Sequence, residues 1–299
     1  MHKKYVTTIL LLFLLITVFA QQTPQQKLQQ IFNRNSKSIL VAAHRGDWRN
    51  TPENSVKSLT NCINKNIDIC EFDLKKTKDG HIIIMHDKTI DRSTNGKGKA
   101  ENYTLEEIKK FKLLGGTGHI TKHSIPTLDE MLLAAKNKVI INLDKAYEYY
   151  PEVLAKLKQY NMIEQAIFNI YGLPYDSLVK QHGAIPSNLA LQVIVNPKNP
   201  LIDSIINSYN KHKRTIVQLI FETDTAAILS TIPTLKKQYA IWFNSIWPEQ
   251  SGGHDDDTAV EDEKPNESWG WLVKKQPNII QSDRPIELLK YLRKLKVHD

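Results

Sequence analysis

The chain has 299 residues, 41% hydrophobic and 24% charged, which admits either two ordinary domains or one large α/β barrel. Its 40 Lys and Arg exceed its 32 Asp and Glu, giving a net charge of +8, yet they are scattered rather than gathered into a stripe or a basic helix. That pattern argues against a nucleic-acid surface and suits a small phosphate-bearing ligand.

The first twenty residues carry Lys3 and Lys4, an apolar run from Ile9 to Ala20 interrupted only by Thr17, and then the polar Gln21-Gln22-Thr23-Pro24. A basic start, a short apolar segment and small residues at Val18 and Ala20 describe a secretory signal cleaved after Ala20. The run is short for a membrane span, and no cysteine follows it to carry a lipid anchor. The expectation is an exported chain, periplasmic or secreted, with no stable span after cleavage. Loss of the two lysines lowers its charge from +8 to +6. Residues 21–38 form a polar lead-in with one short helix around Leu28 to Phe32, and residues 39–299 form the barrel domain.

Alternation of strands and helices then begins. Strand Ile39–Ala43 leads into a helix opening at Ser55, with Val56, Leu59 and Ile63 on one face. Strand Ile69–Leu74 is followed by an Asp-Gly hairpin turn at Lys78-Asp79-Gly80-His81 and by strand Ile82–Met85. Residues 88–124 read as a loop excursion over the strand ends with one helical piece, Thr104–Phe111, capped by Thr104 and Glu107. The rhythm resumes with helix Thr127–Ala135, strand Lys138–Leu143, helix Pro151–Tyr160, strand Ala166–Ile170, helix Tyr175–His182 and strand Ala190–Val195. Helix Leu201–Lys211, strand Thr215–Ile220, helix Thr225–Lys237, strands Tyr239–Phe243 and Ile279–Gln281, and helix Pro285–Leu295 complete the chain. Some nine strands with no dividing linker predict a single (β/α)8 TIM-type barrel of the α/β class, one hairpin added.

The irregular stretch Trp247 to Ser268 holds two acid runs, read as solvated loop in preference to a cation site. Trp242, Trp247, Trp269 and Trp271 read as packing, with a substrate wall for any that face the crevice. Cys62 and Cys70 fall in a helix and a strand at a spacing with no metal or redox pattern, which predicts two buried free thiols.

Chemistry gathers at the strand ends, where the crevice of such a barrel lies. The first strand stops in His44-Arg45-Gly46, with Pro52-Glu53-Asn54-Ser55 close behind, and the third in Met85-His86-Asp87. Asp87 reads as a partner that orients an imidazole or as a cap for the next segment. On the second strand, alternation puts Glu71 and Asp73 on one face, and two such carboxylates call for a shared proton or a cation. Oxygen-only ligation points to Ca²⁺ or Mg²⁺. A cation site, an arginine and two imidazoles around one crevice suit phosphoryl transfer.

In this set the chain resembles the glycerophosphodiester phosphodiesterase family. The matching segments run in order: His44-Arg45-Gly46, Pro52-Glu53-Asn54-Ser55, Glu71-Phe72-Asp73, Thr77-Lys78-Asp79-Gly80, His86-Asp87, Asp91 to Gly96, Ile125-Pro126-Thr127-Leu128, Ala240-Ile241-Trp242 and Ser282-Asp283-Arg284-Pro285. The resemblance implies a (β/α)8 barrel, a divalent metal, and hydrolysis of glycerophosphodiesters to an alcohol and glycerol 3-phosphate. It implies His44 and His86 as acid and base, Arg45 as a phosphate ligand, Glu71 and Asp73 as metal ligands, and Glu53 as a supporting or metal-side carboxylate.

One segment departs from the family. Where the family shows Glu-x-Lys, this chain has Asn142-Leu143-Asp144-Lys145. Asp144 is the expected third acid, with Asn142 a neutral alternative on the same face. Lys145, the expected second phosphate ligand, falls one position away from the family's lysine and reaches the site from the loop. Two other readings stay open: a lyase or phospholipase D-like enzyme on lipid headgroups, and a non-catalytic exported protein that binds phosphate esters.

Overall fold

The structure, a computed structural model, describes residues 22–33 and 36–298. The expected signal segment therefore lies outside the described residues. Eleven strands are present among them: β1 Leu40–Ala43, β2 Ile69–Lys76, β3 Ile82–Ile84, β4 Lys112–Leu114, β5 Ile120–Ser124, β6 Ile140–Asp144, β7 Ala166–Tyr171, β8 Ala190–Val195, β9 Thr215–Leu219, β10 Ala240–Asn244 and β11 Ile279–Ser282. The parallel strands run β1-β11-β10-β9-β8-β7-β6-β2, and β1 pairs with β2, so eight strands close into a (β/α)8 barrel. β3 lies antiparallel to β2 with Leu74 opposite Ile84, the expected hairpin.

Strand alternation builds the two sides of the wall. Val41, Cys70, Phe72, Ile141, Leu143, Phe168, Leu191, Val217 and Ile241 join the large cluster that packs against the helices. Leu40, Ala42, Ile69, Ile140, Ile167, Ala190, Ile216, Ala240, Trp242 and Ile279 form a separate apolar cluster inside the barrel. Above these lies a layer of amides that the runs of apolar strand residues hid. Asn142 Nδ2 donates to Asn169 Oδ1 and to Gln192 Oε1, and Gln192 Nε2 donates to Gln218 Oε1.

The polar lead-in corrects to a structural part. Its helix spans Pro24–Ile31, with Thr23 and Gln26 forming a capping box and Pro24 in the first turn. Leu28 and Ile31 are buried in the inner apolar cluster, so the helix closes the barrel floor. Lys27 Nζ lies 2.6 Å from Asp68, whose carboxylate also takes the Val41 N–H at 3.0 Å and His298 Nε2 at 2.7 Å. Fully buried Asp68 still titrates below its ordinary value, because His298 and Lys27 outweigh the burial that raises it.

Three other expectations change. The excursion after β3 is folded around its own core of Ile83, Met85, Ile90, Ala100, Ile108, Leu113 and Ile125, and it carries the β4–β5 hairpin. The expected helix 225–237 is a 3-10 turn, Ala227–Thr231, followed by a short helix, Ile232–Leu235, because Pro233 lacks the N–H that a continuous helix needs there. The stretch after Trp247 is helical at Pro248–Ser251 and Asp256–Val260, and its acids are not all solvated, since Asp255 and Asp256 are buried. Cys62 and Cys70 are free and buried, as expected.

Candidate active site

β1 ends in two successive left-handed residues, Arg45 at φ 53° and Gly46 at φ 74°. A Cβ on Gly46 would come within 2.4 Å of Ser58 Oγ, so only glycine fits this turn against the following helix. The turn aims the Arg45 backbone N–H at Glu71 Oε2, 2.7 Å away. Asn54, also left-handed at φ 52°, grips Asp73 from both sides: its Nδ2 donates to Oδ2 at 2.9 Å, and its Oδ1 accepts the Asp73 N–H at 3.1 Å. The Pro-Glu-Asn-Ser segment thereby positions a carboxylate as well as capping a helix.

β2 and β6 pair with Glu71 opposite Asn142 and Asp73 opposite Asp144. Glu71, Asp73 and Asp144 each offer an oxygen within 4.8 Å of the others, the one group of three or more potential ligand side chains among the described residues. Burial, then the charges of Asp73 and Asp144, push the Glu71 carboxyl well up, and burial followed by Asp73 raises Asp144. Burial also works against Asp73, yet Lys145, His86, Asn54 and Arg45 together hold it below the ordinary range. Three crowded carboxylates with only oxygen donors fit a hard divalent cation, which would relieve the repulsion.

Lys145 reaches this cluster in spite of its displaced position. Simple alternation would turn it away from Asp144, but its left-handed backbone, φ 64°, swings Nζ to 3.1 Å from Asp73 Oδ1 and 3.5 Å from Asp144 Oδ2. Asn142 lies below the acids in the amide layer, fully buried. Asn169 Nδ2, at 3.2 Å, and the Tyr171 hydroxyl donate to Asp144 Oδ1 and orient the third acid.

The two imidazoles are held alike. His44 Nδ1 lies 2.8 Å from Asp283 Oδ1, and His86 Nδ1 lies 2.6 Å from Asp87 Oδ1. Each ring thus has one nitrogen tied to a carboxylate, leaving Nε2 for other work. Trp48 Nε1 also donates to Asp283 Oδ1, at 2.6 Å, and Arg92 Nε donates to Asp87 Oδ2, at 2.7 Å. Burial raises Asp283, but His44 and Trp48 bring it below its ordinary value; Arg92, with His86, brings Asp87 down to about 2. Arg92 also grips Glu53 through two bonds of 2.6 and 2.7 Å, and Arg45 Nη1 lies 3.4 Å from the same carboxylate, so Glu53 stands apart from the acid cluster. Arg45 Nε is buried without a hydrogen-bond partner, a donor left for a ligand oxygen.

Behind Asp283 stands Asp256, from the acid-rich loop. Its Oδ1 accepts from Ser245 Oγ, Ser282 Oγ and Trp269 Nε1, and its Oδ2 accepts the Asp283 N–H at 2.6 Å. Burial pushes its carboxyl up to about 7 against these four donors. Asp256 and Trp48 were given no site role by the sequence, and Asn54, Arg92 and Asp283 were only motif residues.

His44, His86 and the three acids line one cavity of about 160 Å³, together with Tyr171, Ile194, Ile220, Ile246 and Trp247. Trp247 is 44% exposed and meets the His44 ring edge-on, with centroids 5.5 Å apart, so it walls the crevice. Trp242 and Trp269 are buried packing.

The model of the glycerophosphoryl diester phosphodiesterase family matches residues 44–226, and a domain of unknown function matches residues 192–292. A glycerophosphodiester phosphodiesterase of Caldanaerobacter subterraneus subsp. tengcongensis is 39% identical over 145 residues, 45% of this chain and 60% of that protein's length. A glycerophosphoryl diester phosphodiesterase structure from Parabacteroides distasonis superposes with a TM-score of 0.74 at 22% identity, covering 92% of this chain and 93% of that one. An Oleispira antarctica phosphodiesterase in complex with sn-glycerol-3-phosphate superposes at 0.64 with 19% identity, covering 85% and 96%. The last two likenesses concern the fold, while the family match covers more than half of the chain and contains His44, Arg45, Glu71, Asp73, His86 and Asp144: the chain belongs to the glycerophosphoryl diester phosphodiesterase family.

Proposed function

We propose that the chain hydrolyses glycerophosphodiesters to an alcohol and sn-glycerol 3-phosphate. The observation that carries this reading is the pair of carboxylate-anchored imidazoles, His44 and His86, on one cavity with a three-carboxylate cluster. A divalent cation on Glu71, Asp73 and Asp144, Ca²⁺ or Mg²⁺ by the oxygen-only donors, would neutralise the non-bridging phosphate oxygens. Arg45, through an Nε that has no hydrogen-bond partner and lies 3.9 Å from Asp73 Oδ2, and Lys145, 3.1 Å from Asp73 Oδ1, bind those oxygens beside the carboxylate cluster. One imidazole Nε2 takes a proton from the attacking water as the water oxygen bonds to phosphorus. The other delivers a proton to the leaving oxygen as the ester bond breaks. Asp283 and Asp87 hold the rings in register and support the protonated forms. Glu53 supports the site by keeping Arg45 and Arg92 in place.

The test is release of choline and glycerol 3-phosphate from glycerophosphocholine by the purified chain with added Ca²⁺ or Mg²⁺. Activity should vanish on chelation and in His44→Ala and His86→Ala. Unchanged turnover in His44→Ala overturns the mechanism, and a cyclic phosphate as final product, seen by ³¹P NMR, moves the assignment to a lyase. We also propose export with cleavage after Ala20. N-terminal sequencing of the expressed protein should then begin at Gln21, and an intact Met1 in the mature protein refutes it.

A further inference from the structure

Beside the catalytic rim, a groove of about 850 Å³ runs between the segment after β1 and the β4–β5 hairpin, and no carboxylate lines it. Its walls hold Arg49, Lys57, Lys122 and Arg284, with His119 and His123 among them. Two of these cations are answered from outside the groove: Arg49 lies 3.4 Å from the exposed Asp257, and Arg284 pairs with Glu261. Lys57 and Lys122 have no ion pair among the described residues, and Arg284 Nε is buried without a hydrogen-bond partner. His123 sits where both lysines act on it: burial, then Lys122 and Lys57, lower its proton affinity.

The groove adjoins the chemistry through Trp48, which lines it, lies 4.8 Å beneath the Arg49 guanidinium, and donates to the carboxylate that holds His44. Lys57 and Lys122 stand in this groove without counter-charge beside the two paired arginines, and an anion there relieves their repulsion. We propose that this groove is a subsite for a second negative charge on the alcohol part of the substrate. The preferred class is then glycerophosphodiesters whose alcohol bears a further phosphate or carboxylate. This rests on the hydrolase reading above, and it adds a choice among headgroups that the His44–His86 cavity does not make.

The test compares glycerol-phospho-glycerol phosphate, whose alcohol carries a second phosphate, with glycerophosphocholine. The full chain is measured beside Lys57→Glu/Lys122→Glu and a charge-matched control, Lys290→Glu/Lys294→Glu, on the exposed face of the last helix. We expect KM for the anionic diester to rise about tenfold in the groove variant, with kcat within about twofold, no rise for the choline diester, and a gap that narrows in high salt. The control should behave as wild type. Equal KM changes for both diesters, or an effect of the same size in the control, overturn the groove. Calorimetry in a His44→Ala background separates this idea from the hydrolase reading. Charge-selective binding lost in the groove variant supports the groove even if no diester is ever cleaved, whereas identical affinities overturn it even in an active enzyme.

Discussion

Asp283→Asn tests whether an imidazole held from behind does the proton transfer. In the wild type Asp283 Oδ1 accepts from both His44 Nδ1, at 2.8 Å, and Trp48 Nε1, at 2.6 Å. Asparagine has one oxygen and no charge. If that oxygen stays with Trp48, nothing remains to bond the His44 Nδ1 proton with charge assistance; if the amide turns, its NH₂ faces Nδ1 and forces the opposite tautomer. The lost charge-assisted bond is worth about 1.5–3 kcal/mol. At about 1.4 kcal/mol per factor of ten, that is roughly 10- to 150-fold in rate, and the wrong tautomer moves the loss toward the 10²–10⁴ range of general acid–base catalysis. We expect kcat to fall about 10²–10³-fold with KM within about threefold, because Asp283 lies behind the ring. Steady-state kinetics on glycerophosphocholine reads both constants. A kcat within threefold of wild type, or a change in KM alone, would refute the assignment of His44.

Asp256→Asn should act through the same ring: the Asn amide confronts the Asp283 N–H now bonded at 2.6 Å, so kcat should fall about tenfold while circular dichroism stays native, and an unchanged rate would detach the acid-rich loop from the site. Asp68→Asn breaks the buried pairing with Lys27 and His298 and should cost about 3–5 kcal/mol in urea unfolding at neutral pH. Because the folded chain holds Asp68 below its ordinary 3.8, that stabilisation is complete above about 3.8 and fades as pH falls below it; wild-type and variant curves should converge there, and parallel curves would contradict the pairing. Leu28→Ala, at the sealed floor, should cost about 2–5 kcal/mol without altering kcat, whereas a loss of kcat in a fully folded variant would show that the floor is coupled to the site. Calorimetric titration of chelator-treated protein should show Ca²⁺ or Mg²⁺ binding that weakens at least about tenfold in Asp144→Asn; equal affinity would remove Asp144 from the cation site.

What the sequence made legible was local. Period-two alternation placed Glu71 with Asp73 and Asn142 with Asp144 on shared faces, and parallel pairing set the two faces side by side. The strand ends at His44 and His86 marked the crevice because polar groups there interrupt apolar runs. The partners of those groups were illegible for a physical reason. Asp283 meets His44 across 239 residues, only when β11 closes on β1, and chain order alone does not pair them. Arg92 serves Glu53 and Asp87 from an excursion whose fold depends on its own small core. Asn169, Gln192 and Gln218 sit singly within apolar strands, and their meaning appears only once the barrel stacks them into one layer. Lys145 departs furthest from pattern reasoning, because a left-handed backbone at a lysine leaves no mark in composition or spacing.

The two imidazoles share a design but not an environment, and on the proposed mechanism that difference would divide their work. The His44 and Asp283 side chains are 12% and 10% exposed, with Trp48, Trp247 and the Asp256 network closing the space around them. His86 and Asp87 are 38% and 28% exposed, and Asp87 is shared with Arg92 at the edge of the excursion. A charge developing on His44 in that mechanism would be met by fixed dipoles in a drier setting, where each hydrogen bond counts for more. In the same mechanism a charge on His86 would be met partly by water, which would also let that ring exchange its proton between turnovers. Deleting the carboxylate behind His86 should accordingly be the milder lesion of the two, since solvent can replace part of what Asp87 supplies but nothing of what Asp283 does.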